Sequence, residues 1–329
     1  MKVLIASRWF SSRASQLQTM IPDHVQLILP QKGTEKELIQ LVPDAEVIVC
    51  VTLSREMAQA ARRLKLVQKT GAGVDGISFD ALKDDVYVAN TSGANPVPMA
   101  EGAVALVLAL AKQIVRRHTL FPQDDDTTER GIELRGKNAG IVGLGHIGLE
   151  VARLLNAFEM NILAIKRHPT DTAALTFTPT FLGGPDNLDH LLRESDFVII
   201  TVALTPETRG LIGARELRLM KPTAYLVNIA RAGILQEEPI YRALTEGWIA
   251  GAALDVWWPP HWWNPQWRAR AGRGPAHPIW ELPNVIATPH NIGSSDRRSD
   301  VGLQIIAENI RRIADGKPPI NQVDKTLQY

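Results

Sequence analysis

The stretch Asn138–Phe158, NAGIVGLGHIGLEVARLLNAF, decides the fold of this chain. It begins with the short apolar run Ala139–Val142, which is typical of a buried parallel strand, and it ends with apolar residues at helical spacing. Between strand and helix lie Gly143, Gly145 and Gly148, in the pattern Gly-x-Gly-x-x-Gly. The sequence therefore predicts a strand, a glycine turn and a helix in direct succession.

Each glycine of this turn has its own mechanical use. The first allows a tight turn, the second lets the backbone approach a pyrophosphate, and the third lets the helix pack against the strand. The helix N-terminus adds unpaired N–H groups and the positive end of its dipole. The turn thus predicts a dinucleotide site, and the alternative interpretation is a turn with a structural role alone.

The composition of the 329 residues argues against several other classes of protein. The length suffices for two domains with substantial cores, and the net charge of +1 gives no indication of nucleic-acid binding. No apolar run reaches membrane-spanning length, and the run before Arg8 is too short for a signal peptide. The single cysteine, Cys50, excludes an internal disulfide. Hence we expect a cytoplasmic protein without a membrane span or a metal site, in which Asp124–Asp126 is a solvated run.

Strand patterns alternate with helical patterns along the chain, which predicts α/β domains with mainly parallel sheets. In the first region Thr34 has the position of a helix N-cap, and Glu37 follows three residues later. The segment Asn95–Pro98 interrupts the pattern and predicts a linker, followed by one buried apolar helix over Met99–His118. The predicted strands are Lys2–Ala6, Val25–Leu29, Glu46–Val51, Leu66–Lys69, Val86–Asn90, Ala139–Val142, Asn161–Ile165, Asp196–Val202, Ala224–Asn228, Ile249–Leu254 and Asn284–Thr288.

Arg231, Asp255 and His290 each follow closely on the end of a predicted strand. Ligands of open α/β sheets bind beyond the carboxyl ends of the strands. We therefore expect these three side chains to meet at the cofactor crevice.

Seven motifs occur along nearly the whole chain. They are GAGVDGI (Gly71–Ile77), NPVPMAEG (Asn95–Gly102), GIVGLGHIG (Gly140–Gly148), LTPETRGLIG (Leu204–Gly213), LVNIARAGIL (Leu226–Leu235), GAALDVW (Gly251–Trp257) and LPNVIATPHNIG (Leu282–Gly293). In this order they resemble the D-isomer-specific 2-hydroxyacid dehydrogenases.

The resemblance implies two Rossmann-like or flavodoxin-like α/β domains with parallel sheets. Residues 1–98 and 295–329 would form the substrate domain, and residues 99–294 would form an NAD(P)-binding domain inserted into it. The resemblance also implies a homodimer that transfers a hydride between NAD(P)(H) and a small 2-keto or 2-hydroxy acid.

Arg231 and His290 suit this chemistry. A guanidinium can hold the carboxylate of a 2-keto acid through two hydrogen bonds and polarise the keto oxygen. An imidazole can exchange the hydroxyl proton near neutral pH. Backbone N–H groups around Ala72 and Gly73 would add contacts to the substrate carboxylate. Taken alone, Arg231 could instead be a surface or phosphate-pairing residue, and His290 a core histidine.

The resemblance also assigns cofactor contacts position by position. Asp255 would hold the carboxamide or ribose edge of the nicotinamide half, although it could otherwise cap a helix or a turn. The expected cofactor contacts are Gly143, Gly145, His146, Ile147, Gly148, Lys166, Arg167, His168, Ala203, Thr208, Ile229, Ala230, Arg231, Asp255, His290 and Gly293.

One departure from the family pattern concerns the acid partner of the histidine. The resemblance expects a glutamate five residues after Asp255, where this chain has Pro260, and residues 256–280 contain no acid at all. Without that carboxylate His290 should protonate less readily, unless a residue such as His261 replaces it. The same segment holds six of the eight tryptophans. We interpret them as loop packing rather than as the lining of an apolar substrate pocket.

The second departure concerns the choice of cofactor. An NAD site places an acidic residue about 20 residues after the glycine turn, where it holds the ribose 2′-hydroxyl. Here that position is Lys166, Arg167 follows, and no acid occurs between Glu159 and Asp171. Because two cations can pair with a 2′-phosphate, we expect a preference for NADP(H). The alternative is a solvated basic strand end.

The leading hypothesis from the sequence is a reductase of glyoxylate, hydroxypyruvate or a similar 2-keto acid. The missing glutamate leaves open a formate-like or other oxidation that needs no glutamate-paired histidine. A third hypothesis is a dinucleotide-sensing protein with weak catalysis or none.

Overall fold

The computed structural model describes residues 1–121, 130–259, 274–295 and 298–329. The chain divides into unit 1, Met1–Asn95 with Asp296–Tyr329, and unit 2, Pro96–Ser295. Each unit contains its own parallel sheet flanked by helices. The predicted fold class is thereby confirmed: two parallel-sheet α/β domains, one of them inserted into the chain of the other.

Unit 1 is built on a five-stranded sheet. Its strands are β1 (Lys2–Ile5), β2 (Gln26–Ile28), β3 (Val47–Cys50), β4 (Leu66–Lys69) and β5 (Tyr87–Ala89). The first helices are α1 (Arg8–Ser11), α2 (Ala14–Gln18), α3 (Glu35–Leu41) and α4 (Arg55–Ala60). The strands pair in the order β2-β1-β3-β4-β5, and all neighbours are parallel. The strand order therefore reverses at β1.

The start of α3 shows how local sequence sets an element. The hydroxyl of Thr34 accepts a hydrogen bond from the backbone N–H of Glu37 at 3.4 Å, as the capping prediction requires. The carboxylate of Glu37 accepts backbone N–H groups of the preceding turn, the shortest at 2.6 Å from Gln31. These bonds lower the pKa of Glu37. The predicted N-cap is confirmed.

Unit 2 is built on a seven-stranded sheet. Its strands are β6 (Asn138–Val142), β7 (Asn161–Ile165), β8 (Phe181–Gly183), β9 (Phe197–Ile200), β10 (Tyr225–Asn228), β11 (Gly251–Leu254) and β12 (Val285–Ala287). Its helices are α5 (Pro96–Ala111), α6 (Ile114–Leu120), α7 (His146–Ala157), α8 (Leu188–Glu194), α9 (Ala214–Leu219) and α10 (Glu237–Thr245). All strands run parallel in the order β12-β11-β10-β9-β6-β7-β8, so the order reverses at β6.

Successive residues of β6 face opposite sides of this sheet, as strand geometry requires. Ile141 packs into the core that α5 and α7 cover, together with Val107 and Leu155. Val142 packs into the opposite core, which Leu191 of α8 and the helices after β9 complete. Because both faces are buried, the strand is apolar on both sides, as parallel sheets require.

The helix before β6 differs from the sequence prediction at both ends. The chain passes from unit 1 to unit 2 within the predicted linker at residues 95–98, but Pro96 opens α5, so the prediction of an irregular segment there is wrong. Proline suits the first helical turn because its missing N–H is not needed there. The predicted single helix is also wrong, since Gln113 adopts a left-handed backbone (φ 53°) that separates α5 from α6. In the part of the chain described, no single helix could span a membrane; only α5 and α6 together have the length and composition, with a 53° bend between them.

The C-terminal helix α11 (Arg298–Ala314) completes unit 1. Leu303 and Ile306 lie in the same core as Val3 of β1. Fully buried amides join this helix to β4, because Asn309 Nδ2 donates to Gln68 Oε1 at 2.7 Å. One face of the first sheet is therefore covered by residues from the far end of the sequence.

Candidate active site

The glycine turn after β6 has the geometry that its sequence predicts. Gly143 has φ 104°, and a Cβ there would lie 2.6 Å from the Val202 side chain. A Cβ at Gly148 would lie 2.1 Å from the carbonyl oxygen of Gly143. Nothing lies within 4 Å of the Cβ position of Gly145, directly before α7. The first and third glycines thus permit close packing, and the second leaves open space beside a helix N-terminus.

This open space fits a phosphate group. Gly145 is the N-cap of α7 and brings no side-chain acceptor to the first helical N–H groups. His146, the first residue of α7, is exposed, and Ile147 is half-buried against the core. Since N–H groups and dipole both favour an anion here, the residues present suit the pyrophosphate of a dinucleotide.

Thr201 supports the turn, and the sequence analysis missed it. Its hydroxyl donates to the carbonyl oxygen of Gly143 at 2.5 Å, and Val142 O lies 3.2 Å away. Thr201 directly follows β9, the strand that pairs with β6. In the sequence Thr201 falls within the predicted strand Asp196–Val202, and neither the end of that strand at Ile200 nor its pairing with β6 could be read from the pattern.

Lys166 and Arg167 follow β7, and both contact carboxylates. Lys166 Nζ donates to the carbonyl oxygen of Asp171 at 2.7 Å and lies 3.6 Å from its carboxylate. Arg167 forms an ion pair with Glu207, in the segment after β9. His168 is exposed. The two predicted 2′-phosphate ligands thus lie at one strand end, each beside an acid.

Ala203 and Thr208 belong to the turn after β9. The hydroxyl of Thr208 donates to the carbonyl oxygen of Ala203 at 2.6 Å and accepts the N–H of Thr205 at 2.8 Å. Ala203 is exposed, and Thr208 is half-buried. Thr208 therefore fixes the shape of this turn, and its predicted cofactor contact stays a prediction.

Arg231 extends from a turn that a buried asparagine holds. Asn228, the last residue of β10, accepts the N–H of Ala230 at 3.0 Å and donates to the carbonyl oxygen of Arg231 at 3.0 Å. Arg231 Nη1 donates to the carbonyl oxygen of Ala230 at 2.7 Å. Ile229 is buried beside them. The sequence analysis missed Asn228, although it lies in the same motif as the arginine.

Asp255 is 1% exposed and holds the loop that carries His290. Its carboxylate accepts the hydroxyl of Thr288 at 2.7 Å and the backbone N–H of Asn291 at 3.0 Å. The N–H groups of Ile292 and His290 also reach it. Burial raises the pKa of Asp255, and these hydrogen bonds act in the opposite direction. The contacts match the alternative of a turn residue, and direct cofactor contact stays a prediction.

His290 itself is half-buried with a left-handed backbone (φ 54°), which the turn held by Asp255 imposes. A Cβ at Gly293 would lie 2.1 Å from the Sδ atom of Met99. Gly293 therefore lets the loop pack against the first turn of α5, a contact that needs glycine whether or not a cofactor touches it.

The tryptophans divide between described and undescribed residues. Trp257 is 5% exposed, and its Nε1 donates to the carbonyl oxygen of Thr288 at 2.8 Å. Trp280 meets it edge to face, and Trp258 packs against the same core. These three contacts are those of packing. The predictions for Pro260, His261, Trp262, Trp263, Trp267 and Asp124–Asp126 concern residues outside the described ranges.

Ala72 and Gly73 lie in unit 1, in the loop after β4. The carbonyl oxygen of Ala72 accepts a hydrogen bond from Asn90 Nδ2 at 2.9 Å, which ties the loop to the end of β5. Ala72 is exposed and Gly73 half-buried. The buried Lys69, at the end of β4, donates its ammonium to the carbonyl oxygen of Val51.

In unit 2, adjacent parallel strands end before Arg231, Asp255 and His290, so the structure brings the three to one edge of one sheet. This arrangement offers a guanidinium and an imidazole on the same side as the glycine turn. Among the described residues, no three His, Cys, Asp or Glu side chains are grouped to hold a metal ion.

Comparison with known proteins decides the family. The model of the D-isomer specific 2-hydroxyacid dehydrogenase, NAD binding domain, matches residues 104–291, more than half of the chain and all within unit 2. The chain belongs to the D-isomer specific 2-hydroxyacid dehydrogenases. The family predicted from the seven motifs is confirmed.

Members of this family resemble the chain over most of its length. D-3-phosphoglycerate dehydrogenase of Archaeoglobus fulgidus is 36% identical over 305 residues, covering 88% of this chain and 54% of that one. The chain thus spans about half the length of that relative. Glyoxylate reductase of Thermofilum pendens is 33% identical over 307 residues, covering 89% and 86%. A family member from Xanthobacter autotrophicus Py2, solved with NADPH and MES, is 26% identical, covers 100% and 99%, and has a TM-score of 0.79.

Proposed function

We propose that this protein is an NAD(P)-dependent 2-hydroxyacid dehydrogenase that prefers NADP(H) and reduces a small 2-keto acid such as glyoxylate or hydroxypyruvate. The observation that carries the proposal is the position of Arg231 and His290, beyond strands of the same sheet that holds the glycine turn. The relatives named glyoxylate reductase and D-3-phosphoglycerate dehydrogenase support the reaction type.

In the proposed mechanism, Arg231 binds the carboxylate of the 2-keto acid and polarises its keto oxygen. A bound nicotinamide cofactor supplies the hydride that reduces the keto carbon. His290 gives a proton to the keto oxygen as the hydroxyl forms. The product is the 2-hydroxy acid, and in the oxidative direction His290 takes the proton back.

Two buried residues hold the turns that carry Arg231 and His290. Asn228 holds the backbone on both sides of Arg231. The carboxylate of Asp255 accepts hydrogen bonds from backbone N–H groups of the turn that carries His290. Both residues are buried, and each holds the backbone of the turn from which Arg231 or His290 extends.

We also propose that the protein forms a homodimer. Ile114, Val115 and Phe121, on and after α6, are 54%, 46% and 84% exposed. Three large apolar side chains exposed along one short helical segment are the kind of surface that another chain can cover. Light scattering on the purified protein measures the mass directly, and a monomer would contradict the proposal. The cytoplasmic location stays a prediction.

A panel of 2-keto acids, each assayed with NADPH and with NADH, tests the function. The panel contains glyoxylate, hydroxypyruvate, pyruvate and 3-phosphohydroxypyruvate, together with formate and NAD(P)⁺. We expect the highest kcat/KM with glyoxylate or hydroxypyruvate and NADPH. Turnover of formate alone would favour the formate-like oxidation. Cofactor binding without turnover of any substrate would favour the dinucleotide-sensing protein.

A further inference from the structure

An ion pair crosses the carboxyl end of β6. In the sheet, β6 lies between β7 and β9, so residues after β7 and residues after β9 flank the glycine turn on opposite sides. Arg167 comes two residues after β7, and Glu207 lies in the segment after β9. Although 40 residues separate them in the sequence, their side chains form an ion pair. The pair therefore bridges the switch point of the sheet.

The switch point is where a dinucleotide binds in open α/β sheets, and the residues after the second strand of the motif meet its adenosine ribose. Arg167 is one of the two cations that would receive a 2′-phosphate there. In this structure the carboxylate of Glu207 already occupies part of the hydrogen-bonding capacity of the Arg167 guanidinium. A 2′-phosphate must therefore share Arg167 with Glu207 or displace Glu207 from it. In either case the phosphate approaches the negative carboxylate of Glu207, which repels it.

The carboxylate of Glu207 that repels a 2′-phosphate can instead accept a hydrogen bond from a ribose 2′-hydroxyl. A hydroxyl donates a hydrogen bond to a carboxylate, and this contact is the one that an acid after the second strand provides in NAD sites. The chain has Lys166 at that position, but Glu207 brings a carboxylate to the same crevice from the opposite side. Lys166 and its partner Asp171 both follow β7, so this second ion pair stays on one side of the glycine turn.

We propose that Glu207 is a specificity-determining residue for the cofactor. It competes with a 2′-phosphate for Arg167 and offers an acceptor to a 2′-hydroxyl, and so it limits the preference for NADP(H). The inference rests on the proposed function only in requiring that a nicotinamide dinucleotide binds at the glycine turn.

The pair is suited to this role because it is accessible. The side chain of Glu207 is 65% exposed and that of Arg167 is 32% exposed. Exposed ion pairs contribute little to folding, since water screens them. Replacing Glu207 should therefore change cofactor affinity while leaving the fold intact.

The test measures dissociation constants of NADPH and NADH by calorimetry, with the whole chain and no substrate. The variants are Glu207→Gln, Arg167→Ala and the double variant. The matched control is Glu246→Gln, another exposed glutamate in an ion pair, which accepts from Arg242 Nε at 2.7 Å. Glu246 lies between α10 and β11, at the opposite edge of the same sheet.

We expect Glu207→Gln to tighten NADPH binding roughly three- to tenfold and to leave NADH binding equal or weaker. In the Arg167→Ala background the same substitution should change the NADPH constant less than about twofold, because the competition needs the guanidinium. Glu246→Gln should leave both constants unchanged. The ratio of the two constants tests the inference whichever cofactor the wild type prefers.

Two outcomes would overturn the inference. If Glu207→Gln leaves the ratio of the two constants unchanged, or shifts it no more than Glu246→Gln does, Glu207 does not set specificity, and the proposed function is unaffected. If the wild type binds neither dinucleotide, the inference and the proposed function both fail.

Discussion

The strands β1 and β6 hold the same place in their two sheets, because the strand order reverses at each of them. After β1 the chain passes through Ser7, which is 6% exposed, into the four-residue helix α1. The carbonyl oxygen of Ser7 accepts the backbone N–H of Ser11 at 2.9 Å. After β6 the chain makes the three-glycine turn and enters the twelve-residue helix α7, with open space at Gly145.

This difference separates topology from function. Both sheets have a switch point, where ligands of such folds bind, but only the second combines a long helix with a glycine N-cap that leaves open space. The family model for NAD binding accordingly matches residues 104–291, within unit 2.

The largest effect is expected at the end of β12. His290→Ala should lower kcat for 2-keto acid reduction roughly 10²- to 10⁴-fold, because the keto oxygen loses its proton donor. The matched change in unit 1 is His24→Ala, since His24 is exposed just before β2. It should leave kcat unchanged. Steady-state assays measure both, and a His290→Ala enzyme with wild-type kcat would exclude the acid role.

The next effect is on folding. In Gly148→Ala the new Cβ would lie 2.1 Å from the Gly143 carbonyl oxygen, which is backbone and has little freedom to shift. We expect the free energy of unfolding to fall by about 1–3 kcal/mol or more, as for overpacked cores. Urea unfolding followed by circular dichroism measures it. An unchanged midpoint would mean that α7 can move away from β6.

Gly145→Ala separates affinity from stability at the same turn. Its backbone is extended (φ −86°), and no atom lies within 4 Å of the new Cβ. Stability should therefore change by less than about 0.5 kcal/mol. The methyl group would enter the space for the pyrophosphate, so the dissociation constant of NADPH should rise roughly tenfold. Tight binding in this variant would contradict the assignment of that space to a phosphate.

The smallest effect is expected at Cys50, at the end of β3 beside β1. Burial raises the pKa of its thiol to about 11, so the thiol stays protonated at pH 8. A thiol reagent at pH 8 should label it only as fast as the protein opens, and saturating NADPH should not create a faster phase. Rapid stoichiometric labelling of the native protein would show that this end of the first sheet is open.

Much of the fold could be predicted because it depends on short-range pattern. Buried strands in parallel sheets are apolar on both faces, and the Thr34 cap depends on residues three positions apart. The glycine turn was predictable for the same reason, since strand, turn and helix are contiguous. The arrangement of Arg231, Asp255 and His290 followed from one further rule, that parallel strands end at the same edge.

The features that the sequence did not predict depend on properties that a local pattern does not contain. The break at Gln113 depends on one residue's backbone conformation within an apolar run, and hydrophobic pattern does not report it. The ion pair between Arg167 and Glu207 depends on which strand lies beside β6, and that order is not a local property. The sequence therefore indicated two cations for a phosphate but not the carboxylate beside one of them.

The buried pairing of Gln68 with Asn309 has a consequence for synthesis. The two residues are 241 positions apart, and the helix of Asn309 covers the sheet face that contains Val3. A growing polypeptide has all of unit 2 available before α11 leaves the ribosome. The inserted unit can therefore reach its native packing before α11 covers its part of the first sheet, and during that interval the apolar surface that α11 buries is open to aggregation.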